Sequence, residues 1–349
     1  MSQPVDVGIL GLGGVGRGLL ELWSERPEPR FRIAWASDTT GAVIAREGIR
    51  PADLLRAKRG NGLASLPSAR FEPHAKPTDL VDREPVEILL NLLPCDYESG
   101  GEALPSVVNA LERGIHVVSA EKASLVLGVE RLRAAQEKAG AQLRYSACVG
   151  GSVPFIPILE QAAAAHQVQG ATGVVNATTT YILTELEARR AAPREIIDQA
   201  RRLGILERDE RHDLDGWDLA AKATILHNTM FPEPISWKRV KRTGIQPFLK
   251  DPESLVPGTR LVARVTPGRV DTEAKTLPMH SPLRVYGLEN ALLIDTPNAG
   301  ELFVRGIGAG GRGTATNVYG DLLRVARHTG GESPNGHTHV PQTKLHAHL

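Results

Sequence analysis

Residues 5 to 25, "VDVGILGLGGVGRGLLELWSE", constrain the fold more than any other stretch. A short apolar run (5 to 10) meets a turn with four glycines, and the leucines beyond it recur at helical spacing. Strand, glycine turn and helix in that order form the context that a dinucleotide fingerprint requires. Gly11 permits the tight turn, Gly13 lets backbone approach a pyrophosphate, and Gly16 allows close helix packing. Gly14 and Val15 lie where the helix N-terminus faces the anion. Alone, such a match is weak.

It gains weight from "FRIAWASDTTG", a second strand-like run that ends at Asp38, 22 residues after Gly16. A carboxylate there is placed to accept hydrogen bonds from the ribose diol of NAD and would repel a 2′-phosphate. The plainer reading is a turn aspartate before Thr39 and Gly41. Arg46, Lys58 and Arg59 could still tolerate NADP, so the cofactor is expected to be NAD or NADP, with NAD favoured.

Next come "VEILLNLLP" (86 to 94), a helix through "ALPSVVNALERG", and "IHVVSAEKASL". Apolar strands alternating with amphipathic helices imply an α/β fold built on a Rossmann-type, doubly wound parallel sheet. The expected dinucleotide-binding domain covers residues 1–146, with 316–329 returning to it. Residues 147–315 read as an α+β substrate and dimerisation domain, because runs rich in Val and Thr at 170 to 183 and 257 to 306 flank helices at 195 to 230. The sequence from 330 to 349 has no core pattern and reads as a disordered tail, four histidines included.

One helix in the second region carries charge where it should be apolar. In "LERDERHDLDGWDLAAKATIL", residues 206 to 226, a wheel started at Leu214 puts Trp217, Ala221 and Ile225 on one side. Asp218 and Lys222 land between Ile225 and Leu226, inside the apolar arc. An ordinary i,i+4 ion pair stabilises an exposed helix by about 0.3 to 0.5 kcal/mol and predicts a polar flank. Charges among apolar side chains must instead overcome a desolvation cost of several kcal/mol, which marks them as functional candidates.

Composition narrows the classes. The chain of 349 residues is too long for one ordinary core and suits two domains. With 41 basic against 40 acidic side chains and no basic stripe, nucleic acid is not an expected partner. No apolar run of about 20 residues and no cationic leader occurs, so we expect no membrane association and a cytoplasmic protein acting on a small molecule. Cys95 and Cys148 are too few and too far apart for a disulfide framework or a zinc site, and no metal is expected. Cys148 reads as a small buried thiol.

Taken in order, "GLGGVG", "HVVSAEKASL", "YSACVGGSVPFI", "LGILERDERHDLDGWDLAAK" and "GIGAGGRGTATNVYGDLL" resemble the homoserine dehydrogenase family over nearly all of residues 5 to 325. The resemblance implies reversible hydride transfer between NAD(P)H and aspartate 4-semialdehyde, giving homoserine, and it implies a homodimer. By position, Glu207, Asp213, Asp218 and Lys222 match the family's substrate-site residues, and Lys122 matches the lysine at the nicotinamide end of the first domain. Reducing an aldehyde needs a proton on the oxygen that gains negative charge. Lys122 and Lys222 are the candidate acids, and Asp218 would orient Lys222 or hold it charged. Glu207 and Asp213 would hold the substrate ammonium, although Asp213 or Asp215 could equally cap a 214 to 229 helix. Thr178 and the backbone near Ala177 match a segment that lines the pocket; Gly150 and Gly151 would let their loop approach the nicotinamide or simply form a turn, and Gly308, Gly310 and Thr314 could contact the cofactor or merely cross back between domains.

Some positions depart from the family pattern. Glu121 replaces an asparagine and brings a negative charge next to Lys122. Ser146 replaces a glutamate that helps bind a structural monovalent cation in the family. Ala177, Thr180 and Ile205 replace a glycine, an asparagine and a tyrosine, and Ile307 and Arg312 break the glycine-rich return. These changes gather on the substrate side, so two alternatives stand beside homoserine: another amino-acid-like aldehyde or alcohol, and a catalytically silent NAD-binding regulator. The sequence ends without the amino-acid-binding extension of many relatives, so threonine feedback through such a domain is not expected.

Overall fold

The computed structural model describes residues 4–189, 192–206 and 209–329. Glu207 and the 330–349 tail lie outside them. The first sheet contains β1 (Val5–Leu10), β2 (Phe31–Asp38), β3 (Gly41–Ile49), β4 (Arg70–Pro73), β5 (Ile88–Asn91), β6 (His116–Ser119) and β7 (Leu143–Arg144), in the order β4-β3-β2-β1-β5-β6-β7. From β2 to β7 the neighbours are parallel, as the alternation of strands and helices predicts. The expectation of a parallel sheet fails at one edge, where β3 and β4 are antiparallel. Asp38 causes the reversal: its carboxylate accepts from Thr40 N at 2.8 Å and Thr40 Oγ1 at 2.6 Å, closing a tight turn.

Alternate strand residues face opposite layers. Val7, Ile9, Leu90 and Val118 pack against Leu19, Leu22 and Trp23 of the helix Gly14–Glu25 and against Val318, Leu322 and Val325 of the helix Gly311–Thr329. Leu10, Leu89 and Val117 point the other way, into a core shared with the rest of the chain. A second sheet, all antiparallel, contains β8 (Gly170–Val174), β9 (Thr259–Thr266), β10 (Arg269–Thr276), β11 (Glu289–Thr296) and β12 (Gly300–Ile307), in the order β10-β9-β8-β11-β12. Among the described residues no helix is long and apolar enough to cross a membrane.

Two local expectations change. The Thr-rich run that read as strand through residue 183 ends at Val174, and Ala177–Arg189 is a helix. Asn176 overrides the β preference of the threonines by capping: its Oδ1 accepts from Thr179 N at 2.8 Å, and the Thr179 and Thr180 hydroxyls bond back to its carbonyl. The charged helix covers Trp217–Met230, because Gly216 at φ +82° breaks it from a short turn at Arg211–Leu214. A Cβ at Gly216 would meet Thr243 O at 2.1 Å, so only glycine fits. Neither Asp213 nor Asp215 caps that helix. The helix runs between β9 and β10 on one side and the helices Phe155–Ala165 and Ala123–Leu127 on the other. Asp218 is therefore buried, and Lys222 largely so, at the junction of the two sheets' regions.

Candidate active site

The C-terminal ends of β1, β5 and β6 lie side by side, the position where open α/β sheets bind ligands. Gly11, at φ +96°, leaves β1 so close to the neighbouring chain that a Cβ would meet Leu92 O at 2.5 Å. A Cβ at Gly16 would meet Gly11 O at 2.5 Å, which is the tight helix packing read from the fingerprint. Gly13 and Gly14 differ: a Cβ at either meets nothing within 4 Å. That open side lies at the N-terminus of the Gly14–Glu25 helix, which has no side-chain cap, so backbone N–H groups remain for an anion. A dinucleotide's pyrophosphate fits this cradle. Gly13→Ala, at an ordinary φ of −74°, is accordingly expected to leave the melting temperature unchanged while weakening NAD binding about tenfold or more, as read by isothermal titration.

The return segment closes over the same turn. A Cβ at Gly311 would meet Gly14 O at 2.6 Å, and one at Gly18 would meet the Arg312 backbone at 2.6 Å. Gly308 packs under Gly151, and the Thr314 hydroxyl bonds to Gly310 O at 3.1 Å. Val15 is half-buried in the first turn of the fingerprint helix.

Asp38 stands at the end of β2, its side chain almost fully buried and in contact with Lys58 Nζ. Burial would raise its pKa, but the hydrogen bonds from Lys58 and Thr40 prevail and hold the carboxyl below its usual range. Asp38 is thus both the turn former and an ionised acceptor.

Lys122, just past β6, and Lys222, on the 217–230 helix, converge on one carboxylate. Asp218 Oδ2 lies 2.6 Å from Lys222 Nζ and Oδ1 lies 3.3 Å from Lys122 Nζ. Asp218 is 2% exposed, and the Lys222 and Lys122 side chains are 14% and 11% exposed, so all three are largely shielded from solvent. Burial pushes the Asp218 carboxyl up, but the two ammonium groups and their hydrogen bonds outweigh it and bring the pKa down to about 2. The carboxylate therefore stays ionised.

Asn176, absent from the sequence reading, completes the cluster. Its Nδ2 donates to Asp218 Oδ2 at 2.9 Å and to Asp213 Oδ1 at 3.0 Å, joining two buried carboxylates while Oδ1 caps the Ala177–Arg189 helix. The only signal in the sequence is an asparagine ahead of a Thr run, a capping pattern whose second use depends on residues 37 and 42 positions away. Thr178 sits beside it, its hydroxyl donating to Ile205 O at 2.7 Å, and Ala177 opens the helix. Gly150, at φ +96°, turns the chain towards the second region, and its Cβ would meet the Phe155 ring at 2.6 Å.

Glu121 is corrected by the structure. It does not pair with Lys122; it turns inward, fully buried, and accepts from the backbone N–H groups of Ala123 and Ser124 at the start of the Ala123–Leu127 helix. Burial raises its pKa despite those hydrogen bonds. Cys148 is buried and its thiol is pushed well above the usual range, so it is no thiolate nucleophile.

Comparison with known proteins gives the same picture. The homoserine dehydrogenase family model matches residues 154–323. The homoserine dehydrogenase of Pyrococcus horikoshii is 31% identical, with 93% of this chain and 98% of that one covered. The homoserine dehydrogenase of Methanocaldococcus jannaschii is 28% identical over 93% of this chain and 99% of that one. Among solved structures, a hyperthermophilic archaeal homoserine dehydrogenase in complex with NADPH superposes with a TM-score of 0.81 at 28% identity, covering 93% of this chain and 98% of that one. Sequence and fold agree over the same span, and the chain belongs to the homoserine dehydrogenase family.

Proposed function

We infer that this chain is an NAD(P)-dependent dehydrogenase that interconverts homoserine and aspartate 4-semialdehyde. The observation that carries the mechanism is Asp218, buried and ionised, with two lysine ammonium groups on its two oxygens. When bound, the nicotinamide supplies or accepts the hydride. The protein's part is to manage charge and protons at the substrate oxygen. An ammonium held by Asp218 is fixed in direction, and turned to the substrate oxygen it stabilises the developing alkoxide and delivers a proton. Asn176 donates to Asp213 and holds it in place, and in this proposal the Asp213 carboxylate binds the substrate ammonium. Glu207 shares that role in this proposal.

Selectivity follows from the carboxylates. The analogue of homoserine with hydrogen in place of the amino group should lose about 100-fold or more in kcat/KM, since it brings no ammonium for these carboxylates to bind. Equal turnover of the two alcohols would point to a different substrate.

For the cofactor, the proposal assigns the ribose hydroxyls to Asp38 and makes Lys58 the neighbour that admits a 2′-phosphate. Asp38→Asn removes the repelling charge and should move the ratio of kcat/KM for NADP over NAD up by about tenfold, while Lys58→Ala moves it down. A ratio unmoved by both substitutions would take Asp38 out of the ribose site.

The division into residues 1–146 with 316–329 and residues 147–315 belongs to this proposal, as do the homodimer and the cytoplasmic location. The edge strand β12 leaves Phe303 and Ile307 exposed, with Tyr286 exposed just before β11, an apolar patch that a second copy would cover. Neither Cys95 nor Cys148 is in a disulfide, as suits a reducing compartment.

A further inference from the structure

The segment that leaves the first sheet, residues 146 to 153, is pinned to one side of the Gly311–Thr329 helix. Ser146 gives both of its donors to one carboxylate: N to Asp321 Oδ2 and Oγ to Asp321 Oδ1, each at 2.7 Å. Four residues earlier on that helix, Asn317 Nδ2 donates to Gly151 O at 2.7 Å and to Val153 O at 3.2 Å. Asp321 is fully buried and is also met by Arg324 Nη1 at 2.9 Å.

The family resemblance places a structural monovalent cation at this segment, and these residues do not fit one. A monovalent cation needs several oxygen donors, backbone carbonyls among them, turned towards it. Here two carbonyls of the loop converge on an amide NH₂, which is itself a donor. The nearby carboxylate, Asp321, is neutralised by Arg324 and spent on Ser146. Ser146 brings a neutral hydroxyl in place of the family's charged side chain.

We propose that Asn317, together with Ser146, Asp321 and Arg324, replaces the monovalent cation and makes this enzyme indifferent to Na⁺ and K⁺. Asn317 acts as a positioning residue. The loop it holds carries Gly151 at φ +63°, whose Cβ would meet Gly308 O at 2.3 Å, so the outgoing and returning crossings between the two regions are locked together. Cys148 extends the lock towards Lys122, its Sγ lying 3.4 Å from Ser119 O and 3.5 Å from Glu121 O.

The test compares NaCl, KCl and tetramethylammonium chloride at equal ionic strength, reading melting temperature and kcat/KM for homoserine. The wild-type protein is expected to give the same melting temperature and the same kcat/KM in all three salts. Asn317→Asp sets a carboxylate against two carbonyls, and this variant should become cation-dependent. Its melting temperature and kcat/KM should rise with Na⁺ or K⁺ over tetramethylammonium, the latter about tenfold. Wild-type protein that is stabilised or activated by Na⁺ or K⁺ overturns the proposal whether or not the variant folds. A folded Asn317→Asp protein that ignores the cation overturns it as well. The activity arm rests on the dehydrogenase reading, but the melting arm does not, so failure of the latch and failure of the substrate assignment are told apart.

Discussion

Lys222→Ala is expected to lower kcat for homoserine by about 10²- to 10⁴-fold, the range of a positioned general acid, with the dissociation constant for NAD unchanged. The reason is the geometry at Asp218, which fixes the Lys222 ammonium at 2.6 Å and leaves its other hydrogens for the substrate. Lys122→Ala should have a comparable effect, because Lys122 holds the second oxygen of the same carboxylate. Arginine substitutions then separate the two lysines. Arginine keeps the positive charge but does not give up a proton near neutral pH. The lysine that donates the proton should lose about 100-fold or more as arginine, and the one that only stabilises charge should keep most of its activity. Steady-state kinetics of the four variants with a cofactor-binding control measures this; full activity in both alanine variants would remove the lysine pair from the chemistry.

Asp218→Asn should cost more in stability than any other single substitution in the cleft. It leaves two ammonium groups without the carboxylate that balances them, and breaking a buried pair from one side costs about 3 to 5 kcal/mol. The same carboxylate sets an acid limit. Its folded pKa is about 2 against an ordinary 3.8, so its contribution, roughly 2 to 3 kcal/mol from that shift, is present above about pH 4. That contribution is lost as the pH falls from about 4 towards 2. Urea midpoints taken between about pH 3 and 6 should therefore fall more steeply for wild-type protein than for Asp218→Asn. Parallel acid limbs in the two proteins would mean that the folded structure does not hold Asp218 ionised.

The parts of this site that were legible in the sequence are those whose physics is local. Gly11 and Gly16 could be read because a tight turn and a close helix contact both forbid a Cβ, and the structure places backbone oxygens 2.5 Å from where each Cβ would be. Asp218 and Lys222 could be read because helical periodicity alone puts them in an apolar arc. What escaped depends on partners distant in sequence. Nothing near Asn176 announces Asp213 or Asp218, and its capping role was hidden by threonines that favour strands. Glu121 read as a neighbour of Lys122, yet a helix start two residues on offered its carboxylate backbone N–H groups, and it turned inward. The antiparallel edge of β3 and β4 was missed although Asp38 also read as a turn aspartate: its bonds from Thr40 close the turn, but the pairing of the strand that follows depends on residues further along the chain.

The central claim is that a buried carboxylate shared by two lysines serves a homoserine dehydrogenase. Its most direct test is steady-state turnover of purified wild-type protein with homoserine and NAD or NADP, following the reduced cofactor and identifying the product. The account predicts saturable, homoserine-dependent reduction of the cofactor with aspartate 4-semialdehyde as the product. Tight cofactor binding with no homoserine-dependent reduction would contradict it and leave a silent NAD-binding protein in its place.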